Sequence, residues 1–207
     1  MRVELDHIVV SGETLAEAVA CVEEALGVEM QPGGAHTEMG THNRVLSLGP
    51  GLYLEAISID PDATAPNHAR WYALDRFRGK ARTTNWALRT DDLSAACDAA
   101  PDGIGAAMSF RRNGYVWDMA VPEDGILPYD GACPAVMQWT GDQHPSKSLP
   151  DCGCRLERLE IQHPRAVEMM TAFPELLRLP KVRIGPGPRP QVRAEIITPH
   201  GLRYLRG

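Results

Sequence analysis

Leu5-Asp6-His7-Ile8-Val9-Val10, followed by Ser11-Gly12-Glu13, decides how the rest of the chain is read. The run is apolar and β-branched, carries one imidazole, and stops at a turn signal, so it predicts a strand. Leu52-Tyr53-Leu54-Glu55-Ala56-Ile57 mirrors it: an apolar run led in by the Gly49-Pro50-Gly51 turn and carrying one carboxylate. A histidine and a glutamate inside apolar strands are costly to bury without partners. His7 and Glu55 are therefore either mutually satisfied core groups or members of a site.

Between these strands, Leu15, Ala18, Val19, Val22 and Leu26 recur at helical spacing, with glutamates on the other face. Ser11 or Thr14 caps this helix and Gly27 ends it. A short strand is expected at Val28-Glu29-Met30, then the glycine-rich Gln31 to Ala35, then strands at 41–48 and 52–59. The order is β-α-β-β-β over residues 1–60.

A similar order recurs over residues 61–145. An aromatic connector, Trp71 to Phe77, leads to a strand at 83–90, a helix at 92–100, and strands near 107–111, 115–121 and 135–140. Asn113-Gly114 is a hairpin signal. A third, shorter pass fills 146–207: a strand at 156–161, a helix opened by His163-Pro164 and interrupted at Pro174, and a hairpin of 182–184 with 192–197. Overlaying the three passes sets Asn85 and Arg158 opposite His7, and Gln138 and Glu195 opposite Glu55.

Composition narrows the function. At 207 residues the chain is long enough for a real core. The net charge of −6 disfavours nucleic-acid and anionic-membrane partners, both of which need a basic footprint. No leader-like start and no apolar run near the ~20 residues of a membrane-spanning helix is present, so a cytoplasmic location is expected. Five scattered cysteines then read as reduced thiols, and Cys152-Gly153-Cys154 is too tightly spaced for a zinc site. No GxGxxG, GxxxxGK[ST], GxSxG or HExxH occurs, so no nucleotide cofactor is expected.

Asp6-His7-Ile8-Val9-Val10, Gly40-Thr41-His42-Asn43-Arg44 and Leu52-Tyr53-Leu54-Glu55, with the later Gln138-Trp139-Thr140-Gly141 and His144-Pro145, resemble the glyoxalase-like proteins of the vicinal oxygen chelate superfamily. The resemblance implies an α+β fold in which repeated βαβββ modules form a curved, open barrel-like sheet, helices outside, around a small-molecule pocket. It implies a lyase, isomerase or dioxygenase type of enzyme, or alternatively a metal-free protein that binds and sequesters a small molecule. It also implies one divalent metal (Zn, Mn, Fe, Co or Ni) on His7 and Glu55, which are the candidate catalytic residues. At the second-module positions the chain has the neutral amides Asn85 and Gln138, which weakens that metal set. Members commonly form homodimers, although a chain with two modules can complete a cup alone.

Asn85 and Gln138 are candidates for substrate contact, and further candidates come from position. His36 and His42 flank the start of a strand, and Arg44 shares a face with His42 and suits a carboxylate or phosphate. Of Arg111 and Arg112, alternation sends one inward; Arg111 is the candidate. Trp139 is expected in the pocket wall, and His144 in a loop that caps it.

Overall fold

In the computed structural model, which describes residues 1–207, the first helix forms where its caps allow. Thr14 accepts from the Glu17 N–H while the Glu17 carboxylate accepts from the Thr14 N–H, and Gly27 ends the helix at a φ of 69°. In chain order the elements are β1 (Val3–Ser11), α1 (Leu15–Leu26), β2 (Gln31–His36), β3 (Thr41–Ser47) and β4 (Tyr53–Ile59). A 3₁₀ segment (Trp71–Arg76) leads to β5 (Arg82–Thr90), α2 (Leu93–Ala99), β6 (Ala106–Arg112), β7 (Tyr115–Val121) and β8 (Ala135–Trp139). The last part holds α3 (Pro145–Ser148), β9 (Arg155–Gln162), α4 (Ala166–Ala172), a second 3₁₀ segment (Pro174–Arg178), β10 (Val182–Gly185), β11 (Gln191–Thr198) and β12 (Gly201–Arg206).

Eight strands make one curled sheet in the order β2-β3-β4-β1-β5-β8-β7-β6, and four make a second, β10-β9-β11-β12. β1 and β5 pair antiparallel at the centre of the large sheet. Its two edges come close on curling, where the Asn113 side chain donates to the Gly33 carbonyl at 3.2 Å. α1 packs outside on β4, β1 and β3. With both faces covered, β4 is buried almost throughout, which explains its near-continuous apolar sequence. Ile8, Val10, Leu54, Trp86 and Leu88 are fully excluded from water and join Ala18, Val22 and Leu26 of α1 in one core. No helix is long and apolar enough to cross a membrane.

Two expectations need correction. The strand expected at residues 28–30 is instead the glycine-rich 31–36 stretch, where Gly33 and Gly34 pack so closely on Asn43, Arg112 and Asn113 that a Cβ would collide. Close backbone approach overrode the low strand propensity of glycine. The segments 182–184 and 192–197 do not form a hairpin: β10 runs parallel to β9, β11 lies on the other side of β9, and β11 makes its hairpin with β12. The Pro/Gly-rich loop crosses the end of β9 instead of turning tightly.

Candidate active site

The β1–β5 register jumps between Leu5↔Leu88 and His7↔Ala87, leaving Asp6 without a partner of its own. Such a bulge sets two residues against one and re-aims a side chain. Asp6 and His7, which simple alternation would send to opposite faces, consequently reach one buried cluster. Asp6 Oδ1 accepts from His7 Nδ1 at 2.7 Å, and Oδ2 accepts from Trp139 Nε1 at 2.9 Å and His144 Nε2 at 3.0 Å. Burial alone would push the Asp6 carboxyl up, but the hydrogen bonds from His144 and His7 prevail and hold it well below the usual carboxylate range. The ionised Asp6 keeps the proton of His7 on Nδ1, so Nε2 is the acceptor nitrogen. Tyr72 Oη lies 3.2 Å from Nε2 and donates to it; burial, then Glu55 and Asp6, push that phenol well up and keep it protonated.

Glu55 lies across from His7, on β4. The Asn43 side-chain amide donates to Oε1, and Oε2 stands 3.7 Å from His7 Nε2. Arg112, from β6, brings a guanidinium to 3.9 Å from Glu55 Oε1 and donates to His36 Nε2 at 2.8 Å. His36 in turn donates from Nδ1 to Thr41 Oγ1 at 3.0 Å. Burial, and then the Arg112 charge, hold the His36 pKa well below its ordinary value, so this ring is neutral. Tyr53 stacks on His7 with centroids 4.7 Å apart and fixes its plane. The space left among His7, His36, Glu55, Tyr72, Arg112 and Trp71 is about 20 Å³, enough for roughly one water.

Of the residues singled out from sequence, His7, Glu55, His36, Trp139 and His144 meet here. The others do not. His42 bonds to Ser58 on the outer face of β3 and Arg44 is exposed beside it: the two do share a face, but it is the outer one, and Asn43 between them points in. Arg111 is exposed, and Arg112 is the inward member of the pair. Asn85 donates to the Gly131 carbonyl, and Gln138 accepts from Leu93 N and donates to the Asp91 carbonyl at the start of α2. Neither amide reaches the His7–Glu55 cluster. Ala87 sits against His7, and Met137, not Gln138, lines the cavity. Asp6, Asn43, Tyr72 and Arg112 were missed. For Asp6 a signal existed, a second polar residue inside an apolar strand.

A divalent cation needs three or four anionic or imidazole donors. Two donors, His7 and Glu55, face each other. The third potential donor, His36, already accepts from Arg112, whose fixed positive charge repels a second cation. No group of three or more His, Cys, Asp or Glu side chains in the chain is arranged to hold one. The donor set thus does not fit a resident divalent metal.

The model of the glyoxalase-like domain family matches residues 5–177. A hypothetical protein from Staphylococcus aureus superposes with a TM-score of 0.61 at 13% identity, covering 100% of this chain and 85% of that one, a likeness of fold alone. Methylmalonyl-CoA epimerase from Mycobacterium tuberculosis has a TM-score of 0.43 at 14% identity, over 66% of this chain and 86% of that one. A hypothetical protein from Bacillus halodurans has a TM-score of 0.43 at 10% identity, over 69% and 98%. The last two are too loosely similar to carry an argument. No curated protein matches the chain.

Proposed function

The chain belongs to the glyoxalase-like domain family, and from that premise we propose that it is a small-molecule enzyme of the isomerase or lyase type that moves a proton next to a carbonyl group. The observation that carries this reading is the Asp6–His7 pair, which presents an unprotonated Nε2 toward Glu55 and Arg112 in a water-poor cavity. In the proposed step His7 Nε2 takes the proton as the C–H bond breaks. The electron pair moves into the carbonyl, and the developing oxyanion is held by the Arg112 guanidinium. Asp6 and Glu55 stabilise the imidazolium from its two ends. Returning the proton to a neighbouring carbon or oxygen completes an isomerisation; loss of a β-leaving group completes a lyase reaction. The residues do the work of Lewis-acid polarisation with an arginine, so no step runs through a metal.

The test is hydrogen exchange in D₂O followed by NMR, using small ketones, 2-oxo acids, hemithioacetals and thioesters as probes. Exchange catalysed by the parent and abolished in His7→Ala and Glu55→Ala supports the reading. The alternative is metal-free binding of a small molecule. It is favoured if probes bind in the cavity with the same affinity in parent and variants while no proton exchanges.

A further inference from the structure

A cavity with room for one water cannot hold a substrate, so the site must open at one of its two ends. At one end stand Trp139 and His144, which also border an open polar hollow of about 720 Å³. Both donate to Asp6, and His144 Nδ1 additionally accepts from Ser146. That end is fully bonded.

The other end is closed by Trp71-Tyr72-Ala73, and it is under-bonded. Tyr72 and Ala73 are consecutive non-glycine residues at φ of 57° and 54°, a conformation that is disfavoured for each. Trp71 Nε1 and Arg70 Nε are buried without hydrogen-bond partners. Two bonds hold the segment in: Ala73 N to the Gly125 carbonyl at 2.8 Å, and Tyr72 Oη to His7. On its outer side lies a hollow of about 280 Å³, which Tyr72 lines as well as the inner cavity. Moving one ring would join the two spaces into about 300 Å³, the lower end of the range for small-molecule pockets.

Two arginines, Arg76 and Arg82, line that hollow. Arg82 is braced over the Phe77 ring at 4.3 Å and spends Nη1 on the Arg78 and Lys80 carbonyls at 3.1 and 3.0 Å, leaving its other N–H groups without a protein partner. Arg76 meets only Asp124, at 4.0 Å. Thr83 is 2% exposed, lines the hollow, and its Oγ1 has no partner. Asp130 is the one acidic side chain in the wall and faces His163 Nε2 at 3.4 Å; the last residue, Gly207, lines the hollow as well. Arg82 pairs with Ser11, four residues along β1 from His7, which is about 13 Å of strand.

We propose that this hollow receives the carboxylate end of the substrate, a small organic acid. Arg82 and Arg76 are its recognition groups, Thr83 donates a hydrogen bond, and Tyr72 is the gate between the acid and His7. The assignment of His7 rests on the proton-transfer reading above; the acid-binding hollow does not.

Calorimetric titration of the full chain with glutarate, adipate and their dimethyl esters tests recognition. The diacids are expected to bind and the esters not, with affinity at least 10-fold weaker in Arg76→Gln/Arg82→Gln and unchanged in Lys147→Gln, which lies in the opposite hollow. Carbethoxylation of His7 by diethyl pyrocarbonate, read by mass spectrometry, tests the gate. His7 is expected to be protected in the parent and in Tyr72→Phe, and to react at least 10-fold faster in Tyr72→Ala or Tyr72→Leu, each checked for fold by circular dichroism. Esters that bind as well as acids, binding that survives the arginine substitutions, or a response to Lys147→Gln overturns the proposal. Proton exchange on an acid probe that keeps its full rate in the arginine variant also sinks it while sparing the enzyme reading. Acid binding without any exchange does the reverse.

Discussion

Asp6 and His7 are neighbours in one strand, yet their side chains meet at 2.7 Å in the same buried cluster. A bulge opposite β5 brings them there. The pairing determines which nitrogen of His7 carries its proton, and therefore which one is the acceptor. Because Asp6 also receives Trp139 and His144, it ties both halves of the large sheet to a single carboxylate.

Asp6→Asn removes the charge but keeps the shape. An amide can face His7 with its N–H₂ and turn the ring to the wrong tautomer, so a loss of exchange rate of about 10⁴-fold is expected, on the scale of other His–Asp pairs. A rate within threefold of the parent would remove Asp6 from the mechanism.

His36 gives a pH dependence of stability with a definite sign. Its folded pKa lies well below the ordinary 6.5, so between the two values the unfolded chain binds a proton that the folded chain does not. Stability from this group is complete above about pH 6.5 and falls with pH below it, by about 1.4 kcal/mol per unit. Urea unfolding at several pH values between 7.5 and 5 should show that slope, flattened in His36→Gln; equal slopes would refute it. Asp6, whose pKa is depressed, adds a second loss that begins near pH 4.

Metal removal should change little. Protein purified without chelators or a histidine tag is expected to carry less than one divalent ion in ten chains, roughly, and EDTA should leave its melting temperature unchanged. Stoichiometric metal in the parent that disappears in both His7→Ala and Glu55→Ala would show that the arginine-occupied donor set rearranges to bind one.

Gly125→Ala should loosen the Trp71-Tyr72-Ala73 segment. Gly125 has a φ of 74°, and a Cβ there would stand 2.0 Å from the Arg70 carbonyl oxygen. Strain and collision together should cost about 2 to 4 kcal/mol, seen as a lower urea midpoint. Faster carbethoxylation of His7 should accompany it. A stability equal to that of the parent would mean the Arg70–Ala73 segment yields freely.

Much of the site was legible as residue types, and much less of it as directions. His7 and Glu55 announce themselves because a polar group in an apolar strand needs a partner, and each found one. Alternation correctly put His42 and Arg44 on one face, and Arg111 and Arg112 on opposite faces, but period two does not say which face is inside. Asn43 and Arg112 were lost on that ambiguity alone. Tyr72 reaches His7 from 65 residues away through a connector whose conformation is irregular and disfavoured, and no local pattern encodes such a contact.

By itself the sequence determined the order of strands and helices through the large sheet, the capped first helix, and the two strands that carry His7 and Glu55. These follow from local periodicity and from caps, turns and propensities that act over a few residues. Tertiary structure alone decided the bulge that turns Asp6 inward, the faces of β3 and β6, the parallel placement of β10, and the seating of Tyr72 against His7. Each of these depends on free energy shared between segments distant in the chain: sheet register, close glycine contacts across strands, and the need to pair every buried charge.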